Sequence, residues 1–234
     1  MNGKIAALSR HGTRWVGALA LVVAFFGLAA DAVDAQEMWY AEKYAAGDVP
    51  ISVEQLWSRG PLFRSETVIA GHPIVTLVRG DRYIIIDRLT QEGVSIERHP
   101  KALKESEAGK RPFGVELDAL LAAGGEFVRE QDFAGNKCDL YRLTSQEGRR
   151  EVCATQDDEK LPVLTRVWMR STQRRAETRF VNWTRQVQVP EVFFDPDPRI
   201  VLRQISYQEY IDRVTKDLKL PAPPLYRNLL HGTR

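Results

Sequence analysis

Histidine and cysteine are scarce in this sequence, four and two among 234 residues. The scarcity removes whole classes of chemistry. No H-E-x-x-H, G-x-S-x-G or P-loop pattern is present, so no metalloprotease, serine-hydrolase or nucleotide-binding signature can be read. His72, His99 and His231 stand apart from one another, and none has a metal-like partner two to four residues on. They read as turn and surface histidines. A Ser/His/Asp set assembled from distant positions is the remaining enzymatic reading. No metal or other cofactor is expected. A surplus of one charge is also lacking, since the formal net charge is +2. Bulk electrostatics therefore gives no argument for a nucleic-acid partner.

Long apolar runs are lacking too, with one exception at the start. Lys4, Arg10 and Arg14 precede the uncharged run Trp15 to Ala30, and small residues follow at Val33 and Ala35. This is the three-part pattern of a secretory signal peptide, residues 1–35, with cleavage after Ala35. The competing reading is an uncleaved anchor, but 16 residues fall short of the roughly 20 that span a bilayer. No second segment is apolar enough to span. Export to the periplasm is the expectation. Without residues 1–35 the chain carries 30 basic and 29 acidic side chains, and its length suits one domain.

An oxidising compartment changes the meaning of two cysteines. Cys138 and Cys153 flank the turn-like "SQEG", and both lie in short strand-like runs. Folding about Ser145–Gln146 sets them opposite each other, at a separation a disulfide accepts. A reactive dithiol or half a metal site are the alternatives. Fourteen residues between the cysteines exclude C-x-x-C chemistry, and no histidine lies near either one.

Along the chain, "QEMWYAEKYAAGDVP" reads as a short helix. Ser52 and Gln55 fit a capping box for a second helix that ends at Gly60–Pro61. Leu62 to Ala70, His72 to Arg79 and Arg82 to Arg88 are rich in β-branched residues and read as an antiparallel meander. "YIII" is apolar on both faces, as in a strand covered on both sides. "RHPKALKESEAGKRPFG" reads as a charged loop, and "VELDALLAAGG" as one short helix. Strands resume at "EFVREQDFAG" and through the cysteine hairpin. A further hairpin joins Leu161–Arg170 to Ala176–Val189, in which Val181, Trp183, Val187 and Val189 share a face. Ser206 and Glu209 cap a helix whose apolar stripe runs from Tyr207 to Leu218. The proline-rich "PAPPLY" and a short tail close the sequence.

The run "GNKCDLYRLT…REVCAT", the strand start "LPVLTRV" and the exit "VFFDPDP" together resemble the LolA/LolB-like superfamily of periplasmic half-barrels. The resemblance covers roughly residues 62–198. It implies an α+β fold, a curved and open antiparallel sheet with helices over its concave face. It also implies an acyl chain, or a lipid-modified lipoprotein partner, held on that face. The half-barrel domain would be residues 36–199. Residues 200–234, with the C-terminal helix and proline-rich tail, lie outside the pattern and would pack on the domain.

Three constellations are candidates for binding. Val75, Leu77, Ile84, Ile86, Val167, Val181 and Trp183 would line the concave sheet, as a groove for acyl chains or as ordinary core. Arg170, Arg174, Arg175 and Arg179 cluster at a hairpin tip, where guanidinium forks suit an anionic envelope component. The same charges would equally keep an exposed hairpin soluble. Asp195 and Asp197 fall short of a calcium site and read as a proline-rich turn. The function read from these features is a non-enzymatic lipid-binding protein. The rivals are an envelope interaction protein with a filled interior, and a hydrolase with a dispersed site.

Overall fold

The computed structural model describes residues 37–108 and 111–233. The signal-peptide reading of residues 1–35 lies outside them. The described residues form a 12-stranded sheet with four short α-helices. The strands are β1 (Met38–Gly47), β2 (Ser52–Arg59), β3 (Leu62–Ile69), β4 (His72–Arg79), β5 (Arg82–Asp87) and β6 (Glu92–Glu97). Then come α1 (Pro100–Glu107) and α2 (Glu116–Ala122). β7 (Glu126–Phe133), β8 (Asn136–Thr144), β9 (Gly148–Thr155), β10 (Pro162–Met169) and β11 (Arg175–Thr184) follow. After a 3-10 turn at Glu191–Phe194 the chain ends in β12 (Val201–Ile205), α3 (Tyr207–Thr215) and α4 (Arg227–His231). The order across the sheet is β12-β6-β5-β4-β3-β2-β1-β11-β10-β9-β8-β7. All pairs are antiparallel except β12 with β6. This is the open, curved α+β half-barrel that the sequence pattern implied.

Both helices expected at the N-terminus are strands. β1 joins the two halves of the sheet by pairing with β2 on one side and β11 on the other. Its alanines and glutamates favour a helix locally, but cross-strand packing overrides so weak a preference. In β2, Glu54, Leu56 and Ser58 are buried in alternation, a period of two that overrules the Ser52/Gln55 cap. The charged loop expected after residue 98 contains α1 instead. His99 caps it by accepting the Lys101 N–H at 3.1 Å, and Pro100 opens it, both ordinary ways to start a helix. Only Ala102 of that helix is buried, so no apolar stripe marks it in the sequence.

The part of the sheet made by β4, β5 and β6 is covered on both faces. On the inner face, Leu56, Phe63, Ile74, Val78, Tyr83, Ile85, Val94 and Ile96 form one core with Tyr210 of α3 and with Tyr226, Leu229 and Leu230 of the C-terminal segment. On the outer face, Val75, Leu77, Ile84 and Ile86 form a second core beneath Ile200 and Leu202. The apolar "YIII" strand is thus explained, with Tyr83 and Ile85 inward and Ile84 and Ile86 outward. At the far end α2 buries Leu117 and Leu120 against Val152 and Ala154.

The cysteines form a disulfide with Cα atoms 5.6 Å apart. They are diagonal partners rather than opposed ones. Cys138 faces Thr155, and Cys153 faces Leu140. The turn centres on Gln146–Glu147, one residue later than the sequence reading placed it, because Ser145 and Gly148 close it with paired backbone hydrogen bonds. The disulfide packs with Leu140 and Leu164, on the face of β9 opposite Val152 and α2.

Candidate functional site

The structure separates the seven candidate lining residues. Val75, Leu77, Ile84 and Ile86 lie on the outer face, where residues 190–202 cover them, and not on the helix-covered face. A strand buried on both sides offers no sequence signal for which face is concave. Val167 is half-buried opposite Arg150 and Ala176. Val181 is exposed, since it alternates with buried Phe180, and a β-bulge follows it. Asn182 adopts a left-handed backbone conformation there, and the β1 register shifts between Tyr40 and Glu42. The bulge turns Phe180 and Trp183 to the same side, so the strict alternation expected of Val181 and Trp183 fails.

Val167 lies on the inner face with Arg150, at the margin, and Trp183 lies at its centre, where it is enclosed. Its ring stacks on Phe113 at 5.4 Å and on Phe180 at 5.6 Å, and meets Trp39 edge-on at 6.2 Å. Its Nε1 donates to the Pro162 carbonyl at 3.0 Å. Gly114, with a positive φ, lets the chain pass directly over this ring, since a Cβ there would meet Trp183. Arg111 lies against both indoles, at 4.6 Å from Trp39 and 5.0 Å from Trp183, within reach of their π faces.

The chain's own C-terminal segment fills the rest of the inner face. Tyr226 donates its backbone N–H to the Tyr83 hydroxyl at 3.1 Å and its own hydroxyl to Glu54. Glu54 also accepts from Lys43 at 3.2 Å. Burial drives the Tyr226 phenol well above its usual range, and the adjacent Glu54 carboxylate adds to the shift. Arg98, which sequence reasoning passed over, ties this segment down. Its buried guanidinium donates to the carbonyls of Leu229 (2.7 Å), Gly80 (2.7 Å) and Ala102 (3.1 Å) and to Ser106 Oγ (2.6 Å). Each bond satisfies a donor that burial would otherwise strand.

Open space remains at the margin of this packed face. A cavity of about 1170 Å³ lies between α1, α2 and α4, and one of about 660 Å³ adjoins it over Trp39, with Pro61, Arg98, Ser106 and Arg111 common to both. α2 turns its small residues Ala119 and Ala122 to the larger space, while Leu117 and Leu120 hold it to β9. Val78, Ala102 and Leu229 supply further apolar wall, and Arg150 and Arg227 place cations at its edge. Glu116 begins α2 and faces Lys43, Arg111 and Glu54. Burial raises its carboxyl above the ordinary range.

The histidines have structural partners. His72 Nδ1 is 2.6 Å from Asp87, whose other carboxylate oxygen accepts the N–H groups of Leu89 and Thr90 in the next turn. His99 caps α1, and His231 Nδ1 lies 2.8 Å from the Tyr207 hydroxyl. Among the described residues no group of three His, Cys, Asp or Glu side chains is placed to hold a metal. Asp195 and Asp197 do not converge on a cation. Asp195 pairs with Arg79 at 3.0 Å, and Arg199 donates to Asp197, pulling its carboxyl down to about 2. In the basic hairpin, Arg179 pairs with Glu177 and covers the Phe133 ring. Arg170, Arg174 and Arg175 are exposed, and no ion pair among the described residues involves them.

A half-barrel whose concavity is partly filled by its own tail, with a cleft under its helices, is the class of protein defined here. No family model and no curated protein matches the sequence. Solved structures do. An uncharacterized conserved protein from Thermus thermophilus aligns at TM-score 0.53 and 12% identity, over 73% of this chain and 91% of that one. That likeness establishes the fold alone, an open half-barrel sheet. The MucA/MucB complex of Pseudomonas aeruginosa aligns at 0.44 and 14% identity, over 72% of this chain and 59% of that one. The Mycobacterium tuberculosis lipoprotein LppX aligns at 0.42 and 13% identity, over 68% of this chain and 93% of that one. No helix of the described residues is long and apolar enough to cross a membrane.

Proposed function

We propose that this chain is an exported, non-enzymatic binding protein that takes an amphiphile with an anionic group in the cleft between α1, α2 and α4. The observation that carries the reading is the cleft itself. Its volume of about 1170 Å³ is comparable to that of the larger small-molecule pockets. It pairs the small-residue side of α2 with the cations of Arg150 and Arg227; of the two acids in its wall, Glu105 is taken up by Thr233 and Asp118 stands on α2. An acyl chain fits the alanine wall, and guanidinium groups suit a carboxylate or phosphate. The ligand position differs from the one expected on the sheet, because Tyr226, Leu229 and Leu230 already fill that surface. The leader-like N-terminus and the disulfide support a periplasmic location.

Ala119→Trp tests the site. Ala119 is exposed to the cleft and contributes nothing to the core, so the indole fills the space without disturbing the fold. Titration with a fluorescent fatty acid should saturate for the wild-type protein and fail for the folded variant. Absence of saturable binding by the wild type, or equal binding by both, overturns the assignment.

A further inference from the structure

The antiparallel order places five turns at one end of the sheet, those of β1–β2, β3–β4, β5–β6, β8–β9 and β10–β11. Four of them carry an exposed aliphatic side chain at or beside the tip. Ile51 is 83% exposed, Leu89 63%, Val68 59% and Met169 39%. A folded domain has no reason of its own to raise one bare aliphatic residue on each successive turn. Scattered singly they would need no explanation, but these share one rim.

The same rim holds the unpaired arginines. Arg170 N–H donates to the Glu147 carbonyl at 2.8 Å, which ties the β10–β11 tip to the β8–β9 turn. On its other side, Asp48 N–H donates to the Arg175 carbonyl at 2.7 Å, and its carboxylate accepts the Arg175 N–H at 2.8 Å. The three turns therefore form one connected surface. Its acids are largely engaged: Asp48 with the Arg175 backbone, Glu147 with Arg150 at 3.6 Å, Glu66 with Arg88 at 3.8 Å. Arg170, Arg174 and Arg175 keep their side-chain charge. At the opposite end the β2–β3 and β4–β5 turns, Gly60–Pro61 and Gly80–Asp81, border the smaller cavity, so the rim and that cavity lie at different ends, while the larger cleft reaches the rim only at Arg150.

We infer that this rim docks the protein on an anionic lipid surface. Single aliphatic side chains at turn tips enter the headgroup boundary, and unpaired arginines beside them meet lipid phosphates. The chemistry matches both halves of the rim at once. An acidic protein would satisfy the arginines and leave Ile51, Val68 and Leu89 unexplained. The inference is independent of what the cleft binds.

Co-sedimentation with vesicles tests it. The protein should pellet with phosphatidylcholine vesicles containing phosphatidylglycerol, stay in solution with phosphatidylcholine alone, and be released by salt. Arg170→Glu combined with Arg174→Glu should weaken the partition by roughly thirtyfold or more. Ile51→Asp with Leu89→Asp should weaken it as well. Both variants alter exposed turns, and an unchanged thermal melt verifies their fold. Ala119→Trp should pellet like the wild type, which separates this surface from the cleft. Three results overturn the inference: no pelleting of folded wild type with anionic vesicles, pelleting that survives both rim variants, or pelleting lost with Ala119→Trp alone.

Discussion

Leu230→Ala asks whether the C-terminal segment is core or a detachable cover. Leu230 is fully buried, although it sits in a five-residue helix that could not persist alone. Its backbone carbonyl accepts the His99 N–H at 3.0 Å, and the neighbouring Leu229 carbonyl accepts from Arg98. Alanine keeps both bonds, so the variant removes side-chain packing alone. Truncating a fully buried leucine leaves a cavity and costs about 3 kcal/mol. For a domain of this size that lowers Tm by roughly 6–12 °C. Urea unfolding of the wild type and variant would give the difference directly, with the midpoint shifted and the slope unchanged. A loss below about 1 kcal/mol, well under the range for buried leucines, would mean that the tail lies on the sheet without sharing its core.

Two further outcomes follow from the same contacts. Replacing both cysteines by serine opens the loop between Cys138 and Cys153. The change should cost about 3 kcal/mol, read as a lowered urea midpoint that reductant no longer changes. Asp87 is buried, which alone would raise its carboxyl, but bonds from His72 and from the Leu89 and Thr90 N–H groups hold it below the ordinary 3.8. Its stabilisation is therefore complete above the unfolded value and disappears as pH falls through the lower folded value. Asp87→Asn should be less stable at neutral pH and lose less on acidification; a parallel acid profile for both proteins would contradict the sign.

The legible parts of the fold were those where one residue type dominated. The β-branched runs of β4 and β5 and the turns between them stood out, as did the Ser206 cap of α3, which accepts the Glu209 N–H at 3.1 Å. β2 was illegible because its inner face carries Glu54 and Ser58, while Val53 and Trp57 look outward. A polar inner face erases the alternation on which strand recognition depends. The binding surface was harder still. Val75 and Ile74 are equally apolar neighbours, and only the packing of Ile200 and Leu202 assigns Val75 to the outer side. The bulge at Asn182 turned Trp183 to the side of Phe180 and away from that of Val181, and the sequence has no marker for it. The cleft is built from alanines on short helices and from arginines on a helix, a strand and loops, and its largest anchor, Arg98, acts through main-chain carbonyls that no pattern names.

Native mass spectrometry of the protein isolated from the periplasm without detergent decides whether the cleft is a binding site. A stoichiometric anionic amphiphile is expected on the wild-type protein, released on denaturation and missing from folded Ala119→Trp. An amphiphile retained equally by that variant would overturn the cleft assignment, and wild-type protein that neither carries nor takes up a fatty acid would overturn the binding function.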